Sequence, residues 1–200
     1  MILSIDTFSD NFSVAVITPD KKVLSSVSSL KPKPFSEILI GKIDEVLKNG
    51  SVNKNQITAV VVNKGPGSNT GLRVGVITAK TIAYSLNIPI YAYESLDVMA
   101  YIYRYFCGKV VPAINIGKKR VAYKIFENDT LIQNLTVEEL DNFISKFKDK
   151  DSHLIVEKNL NLNFSNSQTL LYPLSIPGAI YSLDKDLKAD IMWLEPIYHD

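Results

Sequence analysis

Residue types that often carry chemistry are scarce in this 200-residue chain, which has one cysteine, two histidines and one tryptophan. A single cysteine, Cys107, excludes an intramolecular disulfide and a cysteine-based metal site. The histidines, His153 and His199, are expected in a strand and near the terminus. That spacing does not make a helical pair of metal ligands, and both read as packing or surface residues. No histidine–carboxylate arrangement stands ready to activate a serine or cysteine nucleophile. Charge of one sign is also lacking. Lysine and arginine number 22 against 21 acidic residues, a formal net charge of +1, so there is no global electrostatic case for nucleic acid. The densest basic cluster, Lys118-Lys119-Arg120, reads as a solvated turn tip. No apolar run approaches a membrane span, and Met1 to Ile5 is too short for a secretory leader and is interrupted by Asp6. These absences leave a soluble cytoplasmic protein as the expectation. Hydrophobic residues make up 46% of the chain, enough for one large domain or two small ones.

What is present is organised around Lys64-Gly-Pro-Gly-Ser-Asn-Thr-Gly-Leu-Arg-Val-Gly75. The apolar, β-branched run 57–63 before it reads as a buried strand, and 72–86 after it reads as a helix. The stretch is thus a strand, a glycine-rich turn and a helix N-terminus, which suits an anion. It is not a Walker A loop, because Gly71 is followed by Leu72 rather than Lys-Ser/Thr. Nor is it a dinucleotide fingerprint, since the glycine spacing differs. Without other support, a tight strand-to-helix turn is the preferred explanation. Arg73 is unusual, because a cation in the first turn opposes the helix dipole. It calls for an acidic partner on this chain, another chain or a ligand.

Around this stretch the chain reads as a three-stranded meander over 2–30, then a break at Lys31-Pro-Lys-Pro34. A helix over 35–49 follows, with Ser36 as N-cap and Gly50 beyond its end. After the glycine loop and its helix come a strand over 89–93 and a helix from Ser95 to about Phe106. A similar order then recurs: strands at 110–116, 120–126 and 131–135, a helix from a capping box at Thr136–Glu139 to about Phe147, and a strand at 153–157. The recurrence is of architecture rather than residues. It predicts a duplicated α/β fold broken near Cys107-Gly108, with lobes 1–107 and 108–200. The second lobe is shortened to a loop at 159–167, a short strand at 168–172 and a short helix at 177–183. In the 72–86 helix, Gly75, Ala79 and Ala83 form a ridge of small residues with Leu72, Val76 and Leu86. This ridge can pack on the domain's own sheet or on a partner chain. Val74, Ile77, Thr81 and Tyr84 on its other sides favour a second partner. Ile40 likewise lies off the main stripe of the first helix.

Gly65-Pro-Gly-Ser-Asn-Thr-Gly-Leu-Arg-Val-Gly75 resembles the Gly-Pro-Gly-Ser-Phe-Thr-Gly-Leu-Arg-Ile-Gly signature of the bacterial TsaB (YeaZ) family. Ile2-Leu-Ser-Ile-Asp-Thr7, Asn87-Ile-Pro-Ile90 with Ser95-Leu96, and Glu195-Pro-Ile-Tyr198 extend the resemblance along most of the chain. It implies the actin-like, sugar-kinase-like ATPase fold: a duplicated ribonuclease H-like α/β architecture in two lobes, the second truncated. It also implies a role in tRNA threonylcarbamoyladenosine synthesis, with no catalysis by this chain and a TsaD-like catalytic subunit as partner. A TsaE-like ATPase would be the third component, and the chain would be a homodimer when alone. tRNA would be met indirectly, through the complex. The expected partner interface is Ile40, Arg73, Gly75, Val76, Ala79 and Ala83. Such ATPases hold nucleotide between two phosphate turns. Here the first, Asp6-Thr-Phe-Ser-Asp10, has no glycine, and the second, Asn115-Ile-Gly117, offers no carboxylate for magnesium. Asp6, Thr7, Gly65, Gly67, Ser68, Thr70 and Gly71 are therefore read as degenerate nucleotide or anion loops, with Asp6 capping its turn. No metal and no tightly bound cofactor are expected, with ATP or ADP present only in the complex. The sequence departs from the family at Asn69, Phe35-Ser36 and Asn115 to Lys118, which bears on nucleotide contact rather than on the fold. The rival reading is an autonomous small phosphotransferase using Asp6 and Thr7.

Overall fold

The structure, a computed structural model, describes every residue except 31–33, 149, 161, 163, 171 and 199–200. Most of the expected break at Lys31–Pro34, and His199, therefore lie outside the described residues. The chain runs β1 (Ile2–Asp6), β2 (Asn11–Ile17), β3 (Val23–Leu30), α1 (Phe35–Asn49), β4 (Ala59–Asn63), α2 (Asn69–Leu86), β5 (Ile90–Tyr93) and α3 (Ser95–Ile102). It continues with β6 (Lys109–Asn115), β7 (Arg120–Glu127), β8 (Thr130–Glu139), α4 (Leu140–Phe147), β9 (His153–Val156), β10 (Ser167–Thr169), α5 (Ser175–Asp184) and β11 (Lys188–Ala189). Two compact units result. One is Met1–Ser95 with Pro173–Tyr198, and the other is Leu96–Tyr172.

The first unit holds a six-stranded sheet in the order β11-β5-β4-β1-β2-β3. β1 to β3 form an antiparallel meander, while β4 runs parallel to β1 and β5 parallel to β4. β1 and β4 are buried at every position, because helices cover both faces of the sheet. Alternate residues divide the labour. Leu3, Ile5, Phe12, Val14, Val60 and Val62 join Leu39 and Val46 of α1 and Val76, Ala79 and Ala83 of α2 in one core. The opposite face presents Ser4 and Ser13 to α5. The Ser4 hydroxyl donates to the Ser175 carbonyl at 2.6 Å, and the Ser175 N–H donates to Ser13 Oγ at 3.2 Å. α2 begins where the Ser68 Oγ accepts from the Gly71 N–H, and stops at Asn87 in a left-handed conformation. α1 follows Pro34 directly. Gly50 closes it right-handed, with φ −81°, and Ser51 takes the left-handed step instead.

The second unit repeats this plan in a five-stranded sheet ordered β10-β9-β6-β7-β8. β6 to β8 are again an antiparallel meander and β9 is again parallel to the first strand. What is shortened is the segment corresponding to α2. β9 leads through a 3-10 turn at Lys158–Leu160 to β10, with no α-helix between them among the described residues. Thr136–Glu139 is not a capping box, since Thr136 pairs with Tyr123 and Glu138 with Val121, so β8 runs on to α4. β-branched Thr136 and Val137 suit that ladder.

The division at 107/108 is replaced by a more interleaved one. α3 goes with the second unit, and residues from Pro173 onward return to the first. The return has a physical cause. α5 packs on β1, β2, β4 and β5, the sheet face that α1 and α2 leave bare, and β11 pairs with the edge of β5. The approach of α5 depends on Gly178, where a Cβ would lie 2.2 Å from the ring of the fully buried Tyr93. Gly178→Ala should therefore lower the unfolding free energy by about 1–3 kcal/mol in urea titration. By contrast, a Cβ at Gly41, mid-helix in α1, would meet nothing within 4 Å. Gly41→Ala should therefore be tolerated and gain up to about 1 kcal/mol. Equal effects at the two sites would contradict this packing.

Candidate functional site: two closed turns and an exposed helix face

The glycines of the loop are explained by what they touch. A Cβ at Gly67 would lie 2.4 Å from the Phe8 carbonyl oxygen, and one at Gly71 would lie 2.2 Å from that of Thr7. One at Gly75 would lie 2.2 Å from Thr7 Oγ1. The loop and the first two turns of α2 thus rest on the β1–β2 turn, backbone to backbone. The Ser68 N–H donates to the Phe8 carbonyl at 2.7 Å, locking the two turns together. Gly65, with φ +107°, needs the glycine conformation outright. Ser68 caps α2, and Thr70 is exposed in its first turn. Asp6, Thr7, Gly65, Gly67 and Gly71 are therefore brought together, but as a filled contact rather than an open cradle.

Asp6 is fully buried at the centre of this contact. Its carboxylate accepts from Asn63 Nδ2 at 2.9 Å, the Leu174 N–H at 3.1 Å and the Phe8 N–H at 3.4 Å. Burial raises its pKa to about 7, against the opposing pull of these donors and Ser13. Asn63 extends the network. Its Oδ1 accepts from the Gly65 N–H at 2.8 Å and lies 2.9 Å from the Ser95 hydroxyl, which also reaches the Pro66 carbonyl at 2.8 Å. Tyr93, whose pKa burial pushes well up, donates to the Leu174 carbonyl at 3.1 Å. Asn63, Ser95 and Leu174 were not among the residues expected from sequence. The only local signal was one amide ending an otherwise β-branched strand. The second turn is simpler: Asn115 is exposed, and its Oδ1 accepts from the Gly117 N–H at 2.8 Å in an Asx turn. Among the described residues no group of three or more His, Cys, Asp or Glu side chains is placed to hold a metal ion.

The helix pair α1 and α2 has an inner and an outer side. Gly75, Val76, Ala79 and Ala83 are buried on the inner side, Ala79 completely. The small-residue ridge serves the chain's own sheet and the Thr7 turn, and these four residues are not available to a partner. Ile40 and Arg73 are exposed, as are Ile77 at 60% and Tyr84 at 78%, two of the residues that the sequence set apart from the inner ridge. Arg73 has no acidic partner among the described residues. Its Nε donates to the Tyr198 hydroxyl at 3.3 Å, and its guanidinium lies 5.0 Å from the centre of that ring. Lys80 Nζ donates to the Leu194 carbonyl at 3.1 Å. Between α2 and this C-terminal segment lies a groove of about 350 Å³, lined by Arg73, Ile77, Lys80, Leu194, Pro196 and Tyr198 among others.

The raised pKa of Asp6 makes stability depend on pH. The folded state holds a proton up to about pH 7 that the unfolded chain releases near its ordinary value of 3.8. Stability from this group is full below about pH 4 and falls as pH rises to about 7, by up to about 4 kcal/mol. The stability of wild type relative to Asp6→Asn should therefore decline over that interval and level off above it. A flat difference in denaturant unfolding from pH 4 to 8 would contradict the assignment.

Residues 24–178 match the family model described as TsaD, tRNA N6-adenosine threonylcarbamoyltransferase. The chain is 30% identical over 154 residues to the tRNA threonylcarbamoyladenosine biosynthesis protein TsaB of Bacillus subtilis, covering 75% of this chain and 67% of that one. Among solved structures, YeaZ from Pseudomonas aeruginosa superposes with a TM-score of 0.79 at 18% identity over 99% of both chains. The activator of 2-hydroxyisocaproyl-CoA dehydratase from Clostridium difficile, solved with bound ADPNP, superposes with a TM-score of 0.55 at 7% identity over 92% of this chain and 94% of that one. The two sheets of like topology are those of the actin-like ATPase fold with its second lobe reduced. Together these findings place the chain in the TsaB (YeaZ) family of tRNA threonylcarbamoyladenosine biosynthesis proteins, within the wider TsaD family.

Proposed function

We propose that this chain is a non-catalytic subunit that binds and supports a TsaD-type enzyme in transferring the threonylcarbamoyl group to the adenosine beside the anticodon. The observation that carries this reading is the sealed β1–β2 turn. The N–H groups of Phe8 and Leu174 are taken up by the carboxylate of Asp6, and the glycine loop lies in direct contact with Thr7 and Phe8. In this reading the turn where an actin-like ATPase would hold phosphate is taken up by the chain's own atoms, which also disfavours an autonomous phosphotransferase. Nucleotide belongs to the assembled complex, with a TsaE-type ATPase as third component.

The partner surface in this reading is the outer face of α1 and α2, with Ile40, Ile77 and Tyr84 exposed and Arg73 at its margin. Exposed apolar surface of this kind marks an interface. The same face serves a homodimer when the enzyme subunit is absent. Ile77→Arg and Ile40→Arg should leave native circular dichroism, and each should weaken capture of the TsaD-type subunit by at least about tenfold, since a cation would be buried without a partner. Ala79→Arg, aimed at the sheet, should instead give insoluble protein. Full capture by Ile77→Arg, or a soluble, folded Ala79→Arg, would place the interface elsewhere.

A further inference from the structure

We propose that the turn after α3, in the second unit, is a base-stacking platform for unpaired nucleotides of tRNA. The proposal rests on the reading that this chain works on tRNA together with a TsaD-type subunit.

α3 buries Leu96, Val98, Met99 and Ala100, and its apolar duty ends there. The turn that follows, Tyr103-Arg-Tyr-Phe106, nevertheless exposes large rings. Tyr105 is 85% exposed and Phe106 46%, and Tyr172 of the same unit is 63% exposed. Each of the two consecutive rings is backed by a planar group. The Arg104 guanidinium lies 4.4 Å from the centre of the Tyr105 ring and 4.1 Å from that of Tyr101, so that one cation serves both rings. Its Nη1 donates to the Tyr101 carbonyl at 2.9 Å, which fixes it in place. Phe106 stacks on the His153 imidazole with centres 4.4 Å apart and planes 19° apart, and Tyr103 lies 5.6 Å from the same imidazole.

Aromatic rings on arginine and histidine, flat and open to solvent, are the chemistry that receives successive bases of a single strand. RNA read in loops is read in this way, by stacking on unpaired bases. The charge agrees. Arg104 has no carboxylate partner among the described residues, and Lys109, exposed at the start of β6, has none in a salt bridge although Glu127 stands opposite it in the ladder. Two local cations suffice beside a phosphate chain, which is why a net charge of +1 did not announce the site. A protein occupant would use the same rings, and the capture arm of the test below separates the two.

The test uses the full chain in complex with its TsaD-type subunit and an unmodified transcript of a tRNA that reads codons beginning with A. Tyr105→Leu combined with Phe106→Leu keeps apolar bulk and removes the rings, whereas Tyr105→Phe with Phe106→Tyr keeps them. At fixed salt, the leucine pair should weaken tRNA binding roughly tenfold or more and the aromatic pair should bind as wild type. Capture of the TsaD-type subunit should be unchanged in both. In a photocrosslinking experiment with thiouridine in the anticodon loop, the crosslinked peptide should contain residues 101–109. Unchanged tRNA affinity in the leucine pair overturns the platform. Loss of subunit capture with tRNA affinity intact overturns it too, and makes the turn a protein interface. Failure of the wild-type chain to capture the subunit at all would instead count against the function proposed above.

Discussion

The backbone of the glycine loop and α2 meets the β1–β2 turn at a distance that leaves no room for a single added carbon at Gly67, Gly71 or Gly75. Much of the first unit follows from this contact. It seats α2 over β1 and β4, so the small residues Ala79 and Ala83 lie inward. It buries Thr7, whose Oγ1 has no hydrogen-bond partner. It also encloses Asp6, which must then be satisfied from within the chain. Asn63 and the Leu174 N–H provide for that, so the returning C-terminal segment is tied to the same point as the glycine loop. A loop that looks made for an anion is instead packed against the chain's own turn, with the Asp6 side chain taking up the N–H groups of Phe8 and Leu174.

The same constraint distinguishes the two sides of the helix pair. The inner side of α2 has no tolerance for added bulk. The outer side carries Ile77, Tyr84 and Arg73 with no such restriction, and the C-terminal segment adds Tyr198 beside Arg73. Arg73 opposes the helix dipole and is only partly compensated by a phenol and its ring. Such a residue is stable enough in the isolated chain and still has charge to offer a carboxylate that arrives from outside.

Periodicity and turn chemistry sufficed for the strands of both meanders, for α1 and α2, and for the recurrence of one plan in two sheets, since those signals are local. The glycine spacing marked a close approach but not what is approached, because Thr7 and Phe8 lie about sixty residues away in sequence. The ridge at Gly75, Ala79 and Ala83 was ambiguous for the same reason: small residues permit contact with any backbone, and only the fold says whose. Thr136–Glu139 carried a cap pattern that the β7 ladder overrode. The return of α5 to the first sheet had no local signal at all. It answers a need of that sheet, whose Ser4 and Ser13 face would otherwise be uncovered. Asn63 and Leu174 escaped notice because the first reads as the end of a strand and the second contributes only its backbone.

In the proposed reading, the isolated chain has no nucleotide site of its own, because Asp6 and the glycine loop close the β1–β2 turn. Calorimetric titration of the purified chain with Mg-ATP tests this most directly. The structure predicts no saturable heat at millimolar nucleotide, for wild type and for Asp6→Asn alike. A saturable isotherm for wild type that disappears in Asp6→Asn would contradict it, and would show that the turn opens to receive phosphate.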